Sequence, residues 1–265
     1  MGESDERRNV ADAEELVKKQ FGAHARAYVS SPVHARGESL TRLVDLTKPQ
    51  RAWLVLDVST GAGHTALAFA PRVARVIATD LTPEMLEAAR ALAAQRAATN
   101  LEFRPADAQA LPFDDGMFDL VTNRIALHHY PDARKAVAEM ARVCRRGGLV
   151  ALVDNVVPFE ETTGRYINQF EKLRDASHQC AHPVKALERY FATARLKVEH
   201  LECLKKDMTF EPWADRMGAD ERTKAELRRM LSEAPAAVRG FLNPRMDGGE
   251  LCFTLTEAVL IGRKE

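Results

Sequence analysis

The run VLDVSTGAGHTALAFA, residues 55–70, decides the fold. Its beginning completes an apolar stretch, WLVLDV (53–58), which reads as a buried strand. GHTALAFAPRV, from Gly63 onward, reads as a helix. The turn between them is made of small residues, Ser59 to Gly63, and such a turn lets the backbone approach a ligand closely. Gly61, Gly63 and Ala66 have the G-x-G-x-x-A spacing of a dinucleotide fingerprint. Asp57, however, stands four residues before Gly61, where its carboxylate would repel a pyrophosphate and suit a ligand bearing an ammonium group.

The pattern repeats outward from this unit. ARVIATD (74–80) is a second apolar strand ending in an acid, and the next helix opens with Thr82 as N-cap and Pro83 at its first position. LEFRPAD and FDLVTNRIAL read as the third and fourth strands. PDARKAVAEMARVCRRGG reads as a helix with arginines in its last turns, and LVALVDNVV as the fifth strand. Strands alternating with helices predict a parallel α/β sheet with right-handed crossovers, whose ligands bind at the carboxyl ends of the strands. Those ends carry Asp57, Asp80, Asp107, Asn123 and Asp154.

Before this core, residues 1–12 read as a frayed polar start. A helix follows with Phe21, Ala25 and Tyr28 on one face, then a break at SSPVH (30–34) and a helix over 36–47 stopped by Pro49. After Pro158, helices are expected over 160–178 and 183–194, a long strand over 196–210, two helices within 211–240, and a closing strand over 250–264. The expected organisation is an N-terminal helical cap (1–48), a ligand-binding core (49–157), and inserted helices and last strands completing the same sheet (158–265).

Lys+Arg and Asp+Glu balance at 38 each, which gives no global electrostatic reason to bind nucleic acid or an anionic membrane. The cysteines, Cys144, Cys180, Cys203 and Cys252, form no CxxC pair, so neither a zinc clip nor a redox motif is expected. No apolar run approaches the roughly 18 residues of a membrane span, and no signal core precedes the first helix. The reading is a cytoplasmic protein, monomer or homodimer, with no metal.

A carboxylate at Asp80, 19 residues after Gly61, can accept two hydrogen bonds from a ribose diol, and Asp107 can accept from an adenine amine. A ligand with an amino acid, a ribose and an adenine but no phosphate fits: S-adenosylmethionine. LDVSTGAGHTA, VIATDLTPEML, FRPADAQALPFDDGMFDLVTNRIALHHYPD and VCRRGGLVALVD resemble successive motifs of class I S-adenosylmethionine-dependent methyltransferases, of the type 11, ubiquinone/menaquinone-biosynthesis-like group. The resemblance spans roughly residues 20–262. FGAHARAYVSSPVHARG and FEPWADRM, with the LRRMLSEAP and FTL segments further on, are similar to a bacterial subgroup acting on small molecules.

The resemblance implies a Rossmann-like, seven-stranded, mainly parallel sheet with helices on both faces, and a cap built from the N-terminal and inserted C-terminal helices. It implies that Gly61 and Gly63 form the tight turn, with Asp57 and Thr60 near the methionine end. Asp80 would hold the ribose, with Leu81 packed on the adenine, whose edge Asp107 and Ala108 would read. Asn123 and Arg124 would line the methionine side, and Tyr28 would close the site. Ser59 departs from the family, which carries glycine there; its hydroxyl could reach the cofactor's carboxylate.

For each residue a plainer role competes: Asp80 as a cap of the next helix, Asp107 as a turn acid, Tyr28 as core, His128 and His129 as packed side chains. His128 and His178 are the candidate bases, and Arg174 and His178 the candidate substrate contacts. The acceptor is expected to be a small apolar or aromatic molecule, bordered by the region 156–200 with Phe159, Tyr166, Phe170 and Phe191. S-adenosyl-L-homocysteine would be the product. The competing readings are an NAD-dependent oxidoreductase, a non-catalytic S-adenosylmethionine-binding protein and a macromolecular (RNA or protein) methyltransferase.

Overall fold

The computed structural model describes residues 3–29, 35 and 37–265. Parallel strands β1 (Leu54–Val58), β2 (Arg75–Asp80), β3 (Leu101–Pro105), β4 (Phe118–Arg124) and β5 (Cys144–Asn155) form the centre of the sheet. β6 (Leu196–Thr209), β7 (Arg245–Asp247) and β8 (Glu250–Lys264) complete it. The order is β3-β2-β1-β4-β5-β8-β6, with β8 antiparallel to both neighbours and β7 paired to β8 as a short hairpin. Seven strands were expected; β7 makes eight.

The continuous apolar runs have the reason foreseen: the sheet is covered on both faces. Val55, Val76 and Leu120 pack on one side against α2 (Glu38–Thr47) and α3 (His64–Phe69). Leu56, Ile77 and Val121 pack on the other against α5 (Ala133–Val143) and α7 (Val184–Thr193). α4 (Pro83–Gln95) begins at Pro83 with Thr82 as its N-cap residue. A third apolar cluster lies under α6 (Glu161–Arg174), α8 (Phe210–Asp215), α9 (Glu221–Ser232) and α10 (Ala236–Leu242). There Phe170 stacks on Trp213 with ring centroids 5.0 Å apart, and Phe253 meets Trp213 edge-on at 4.8 Å.

Three expectations about elements are corrected. α1 (Glu3–Val29) takes in most of the segment expected to fray, because ESDERRNVADAEEL contains strong helix formers and no breaker. α5 stops at Val143, and CRRGG enters β5 directly. Gly148 allows that: a Cβ there would lie 2.8 Å from the Asp119 carbonyl oxygen. Three helices, not two, occupy 210–242. The break expected at 30–34 lies outside the described residues.

β1 leads by way of α3 to β2 on one side, while β4 flanks it on the other. This is the topological switch point, where a crevice opens beyond the strand ends.

Candidate active site

One cleft lies at those strand ends, roofed by α1. Over β1, β2 and β3 its floor is the glycine turn. Gly61 has φ +54 and Gly63 φ +84, the left-handed region that glycine enters freely. A Cβ on Gly61 would meet nothing within 4 Å, so that residue borders open cleft. A Cβ on Gly63 would lie 3.1 Å from the Ala89 Cβ, so its role is close packing against α4.

Asp57 lies beneath this turn, buried, and is not among the residues lining the cleft. Its Oδ2 accepts from Thr60 Oγ1 at 2.6 Å and the Ala66 N–H at 3.1 Å; its Oδ1 accepts from Thr122 Oγ1 at 2.8 Å. Burial pushes its pKa up to about 6 against the opposing effect of these bonds. Asp80 does line the cleft. One oxygen accepts the Gly61 N–H at 2.8 Å and the other the Thr82 N–H at 2.9 Å, so the acid ties the turn to the helix start. Burial raises its pKa too. Leu81, Asp107 and Ala108 continue the wall. Asp107 Oδ1 accepts the Gln109 N–H at 2.8 Å. Glu14 of α1 faces this end, its pKa raised by partial burial and by the charge of Asp107.

Ser59 holds φ +53 and its Oγ lies 2.6 Å from Tyr130 Oη. Asn123 Nδ2 donates to that phenol oxygen at 2.7 Å and to the Val58 carbonyl at 3.0 Å. Asn123 thus holds Tyr130 from behind without lining the cleft, and Tyr130 in turn holds Ser59; Tyr130 and Ser59 both line it. Arg124 lines the cleft as well, with Nε 3.4 Å from Ser39 Oγ.

β4 runs into a 3-10 turn, Leu127–His129, that presents two buried histidines to the cleft. His128 Nδ1 is 2.5 Å from Asp154 Oδ1, at the end of β5. Burial works to lower the His128 pKa, but the charge and hydrogen bond of Asp154 outweigh it and the net shift is upward. His129 is pushed down to about 4 by burial and by His128 beside it. Its Nδ1 is 3.2 Å from Ser177 Oγ, and Phe21 of α1 meets its ring edge-on at 4.9 Å.

The other half of the cleft lies over β5, β8 and β6. Trp213, Met208 and Leu255 give it apolar wall; Arg174, Lys206 and Arg216 give it charge. α1 closes over both halves: Gln20 Nε2 donates to the Met217 carbonyl at 3.0 Å and Tyr28 Oη to Met217 Sδ at 3.2 Å.

A methyltransferase-domain family model matches residues 56–152. The chain is 31% identical over 246 residues to the uncharacterized methyltransferase YcgJ of Bacillus subtilis (strain 168), covering 92% of this chain and 97% of that one. The chain belongs to the class I S-adenosylmethionine-dependent methyltransferases. The crystal structure of YcgJ superposes with a TM-score of 0.82 at 30% identity, over 86% of this chain and 98% of that one. BH2331 of Bacillus halodurans C-125, a candidate methyltransferase, gives 0.81 at 34% identity, over 85% and 98%. A geranyl diphosphate C-methyltransferase from Streptomyces coelicolor A3(2), solved with Mg2+, geranyl diphosphate and S-adenosyl-L-homocysteine, shares the fold at 14% identity and TM-score 0.65, over 96% and 98%. The oxidoreductase alternative falls with this assignment.

In this methyltransferase, the predicted residues Tyr28, Ser59, Thr60, Gly61, Asp80, Leu81, Asp107, Ala108, Arg124, His128 and Arg174 meet in one cleft. Asp57, Gly63 and Asn123 stand behind it, as braces. The repulsion argued from Asp57 therefore lapses, since its carboxylate is turned into the protein. His178 is corrected as well: its Nε2 is 2.7 Å from Asn168 Oδ1, it does not line the cleft, and burial drives its pKa down. Of the four aromatics expected at the acceptor, Phe170 and Phe191 are core, Tyr166 bonds the Met230 carbonyl, and Phe159 is 62% exposed on the surface. Sequence reasoning missed Glu14, Tyr130, Lys206, Trp213 and Arg216. Two periodicities held a signal: Lys206 and Met208 share a strand face, and Trp213 and Arg216 share a helical one.

Among the described residues no group of three His, Cys, Asp or Glu side chains is arranged to hold a metal ion. No described helix is long and apolar enough to cross a membrane.

Proposed function

We propose that this methyltransferase methylates a small molecule with an apolar or aromatic body, seated between Trp213, Met208 and Leu255, with His128 as general base. S-adenosylmethionine supplies an electrophilic sulfonium methyl and leaves as S-adenosyl-L-homocysteine once the carbon–sulfur electrons return to sulfur. The chain's own task is to align, to exclude water and to take a proton.

One observation carries the cofactor half: Asp80 and Asp107, on neighbouring strand ends, border the same cleft that Gly61 leaves open. Each Asp80 oxygen accepts one backbone N–H and keeps lone pairs that can accept from a ribose diol. Leu81 offers the adenine an apolar wall, and Asp107 with the Ala108 backbone its polar edge. Ser59, Thr60 and Arg124 lie where the methionine end would reach. Tyr28, a protonated phenol whose pKa burial pushes still further up, to about 12, closes the mouth from α1.

His128 fits the base. Its Nδ1 is fixed on Asp154, and Nε2 has no hydrogen bond to any described residue, so that nitrogen remains for a proton from the acceptor. The test is calorimetric titration with S-adenosylmethionine beside NAD, for the wild type and Asp80→Ala. Micromolar binding of the sulfonium ligand alone, weakened tenfold or more by the substitution, supports the reading; a tenfold loss is about 1.4 kcal/mol. Binding of NAD, or of neither, overturns it.

A further inference from the structure

The acceptor half of the cleft carries one cation, Arg216, that no carboxylate among the described residues pairs with. Lys206 is matched, with Nζ 2.5 Å from Glu257 Oε1. Arg174 is matched loosely. Its side chain is 10% exposed, Nη2 stands 3.3 Å from Glu171 Oε2, and the guanidinium lies 4.6 Å over the Trp213 ring. Arg174 Nε and Glu171 Oε1 are buried with no hydrogen-bond partner among the described residues. Arg216 also borders the cleft and makes no ion pair or hydrogen bond with any described residue. Its pKa is lowered first by burial, with Tyr28 opposing that, and Arg174 adds to the lowering as a like charge.

Of the nearby carboxylates, Glu171 faces Arg174, and Asp175, which also feels the Arg174 charge, spends its oxygens on neighbours other than Arg216. Asp175 Oδ1 accepts from the Ser177 N–H at 2.9 Å and Oγ at 2.5 Å, and its Oδ2 is 4.0 Å from His129 Nε2. The Tyr28 hydroxyl, which donates to Met217 Sδ, is near enough to feel the charges of Arg174 and Arg216. Two guanidinium groups sharing a partly desolvated wall are costly unless an anion joins them. Their planar forks match the oxygens of a carboxylate or phosphate.

We propose that the methyl acceptor carries an oxyanion, carboxylate or phosphate, that docks between Arg216 and Arg174 while its apolar body lies along Trp213, Met208 and Leu255. The proposal rests on the cleft being the methyl-transfer site. It refines the apolar acceptor: the body is apolar and one end is acidic. Arg174 supplies a buried, half-satisfied donor, and Arg216 supplies the uncompensated charge.

The test uses the full chain saturated with S-adenosyl-L-homocysteine. Cinnamate, phenyl phosphate, cinnamamide and cinnamylamine are titrated calorimetrically, with inorganic phosphate as a probe of the clamp alone. The acids should bind at least tenfold tighter than the neutral amide, and the amine most weakly. The tighter of cinnamate and phenyl phosphate names the oxyanion. Arg216→Gln should abolish the preference for acid over amide while S-adenosyl-L-homocysteine affinity stays within twofold. Equal binding of acid and amide, or binding of neither acid, overturns the clamp in a protein that still binds S-adenosyl-L-homocysteine. Loss of S-adenosyl-L-homocysteine binding by the wild type overturns instead the reading of the cleft on which the clamp rests.

Discussion

Asp154 holds His128 twice: one carboxylate oxygen is 2.5 Å from the ring Nδ1, and the other accepts the histidine's own backbone N–H at 3.1 Å. The double attachment fixes the ring and directs its proton to Nδ1. Burial opposes charge on both groups, yet mutual attraction wins, so the His128 pKa rises and the Asp154 pKa falls. The raised histidine stabilises the fold below its unfolded pKa of about 6.5, and that contribution fades as pH rises through the higher folded value. The depressed aspartate stabilises above about 3.9 and fades as pH falls through its lower folded value. The pair therefore stabilises most between about pH 4 and 6.5.

The base role proposed for His128 needs the opposite state, a neutral ring. The profile of kcat/KM should climb with pH through a value above 6.5 and then flatten. Asp154→Asn removes the attraction and leaves burial in charge, so the climb should move below 6.5 and the plateau should drop. His128→Gln should cost about 10²–10⁴ in kcat. A profile unmoved by Asp154→Asn would remove His128 from the base role.

Asp57 and Asp80 look alike in sequence, each an acid at a strand end, but their burial separates their consequences. Asp80→Ala should weaken S-adenosylmethionine tenfold or more. Asp57→Asn should leave affinity nearly intact, because Thr60 and Ala66 keep an oxygen acceptor and Thr122 Oγ1 can turn its proton to the Leu56 carbonyl, 3.3 Å away. With a folded pKa of about 6, the native state binds the extra proton between about pH 4 and 6, so wild-type stability falls as pH rises across that window. Asp57→Asn should flatten this slope in urea titrations at successive pH values. An unchanged slope would mean that Asp57 titrates normally.

The strand-end wall of the cleft was legible because strand, turn and acid are adjacent in sequence and the parallel topology fixes where strand ends gather. Asp80 and Asp107 needed only that rule. Asp57 was misplaced because sequence locates a carboxylate along the chain but not on which side of a turn it lies; Thr60 and Thr122 draw it inward. The acceptor half was mostly illegible. Lys206, Trp213 and Arg216 reach the cleft from β6, α8 and the turn beyond, and only the long-range pairing of β6 with β8 brings them there. Phe159 shows the converse: an aromatic at the right sequence distance, left outside with Lys185 over its ring at 4.8 Å.

Ser59 occupies the position where the motif it resembles usually has glycine, and its φ of +53 shows why glycine suits it. A left-handed serine costs about 1–2 kcal/mol, partly offset by its 2.6 Å contact with Tyr130. Ser59→Gly should therefore change stability by less than about 1 kcal/mol. Tyr130→Phe keeps the ring but takes an acceptor from buried Asn123 and should cost about 1–3 kcal/mol. In the double variant the costs should not add, since both act on one hydrogen bond. Chemical denaturation of the four proteins measures the coupling; strict additivity would show that the Ser59–Tyr130 contact does not stabilise the turn.

Gly61 and Gly63 should fail differently when given the same methyl group. Both have positive φ, so alanine strains either by about 1–2 kcal/mol. At Gly63 the new Cβ also meets Ala89 at 3.1 Å, where α4 packs on the turn. That variant should lose roughly 4–8 °C in Tm, the shift expected from about 2 kcal/mol in a chain of this size. At Gly61 the Cβ meets nothing within 4 Å and enters the cleft, so Gly61→Ala should lose less Tm but more S-adenosyl-L-homocysteine affinity. Scanning calorimetry and ligand titration of both variants separate the two costs. The reverse pattern, with Gly63→Ala the worse binder and Gly61→Ala the less stable protein, would mean that the ligand rests on the helix side of the turn.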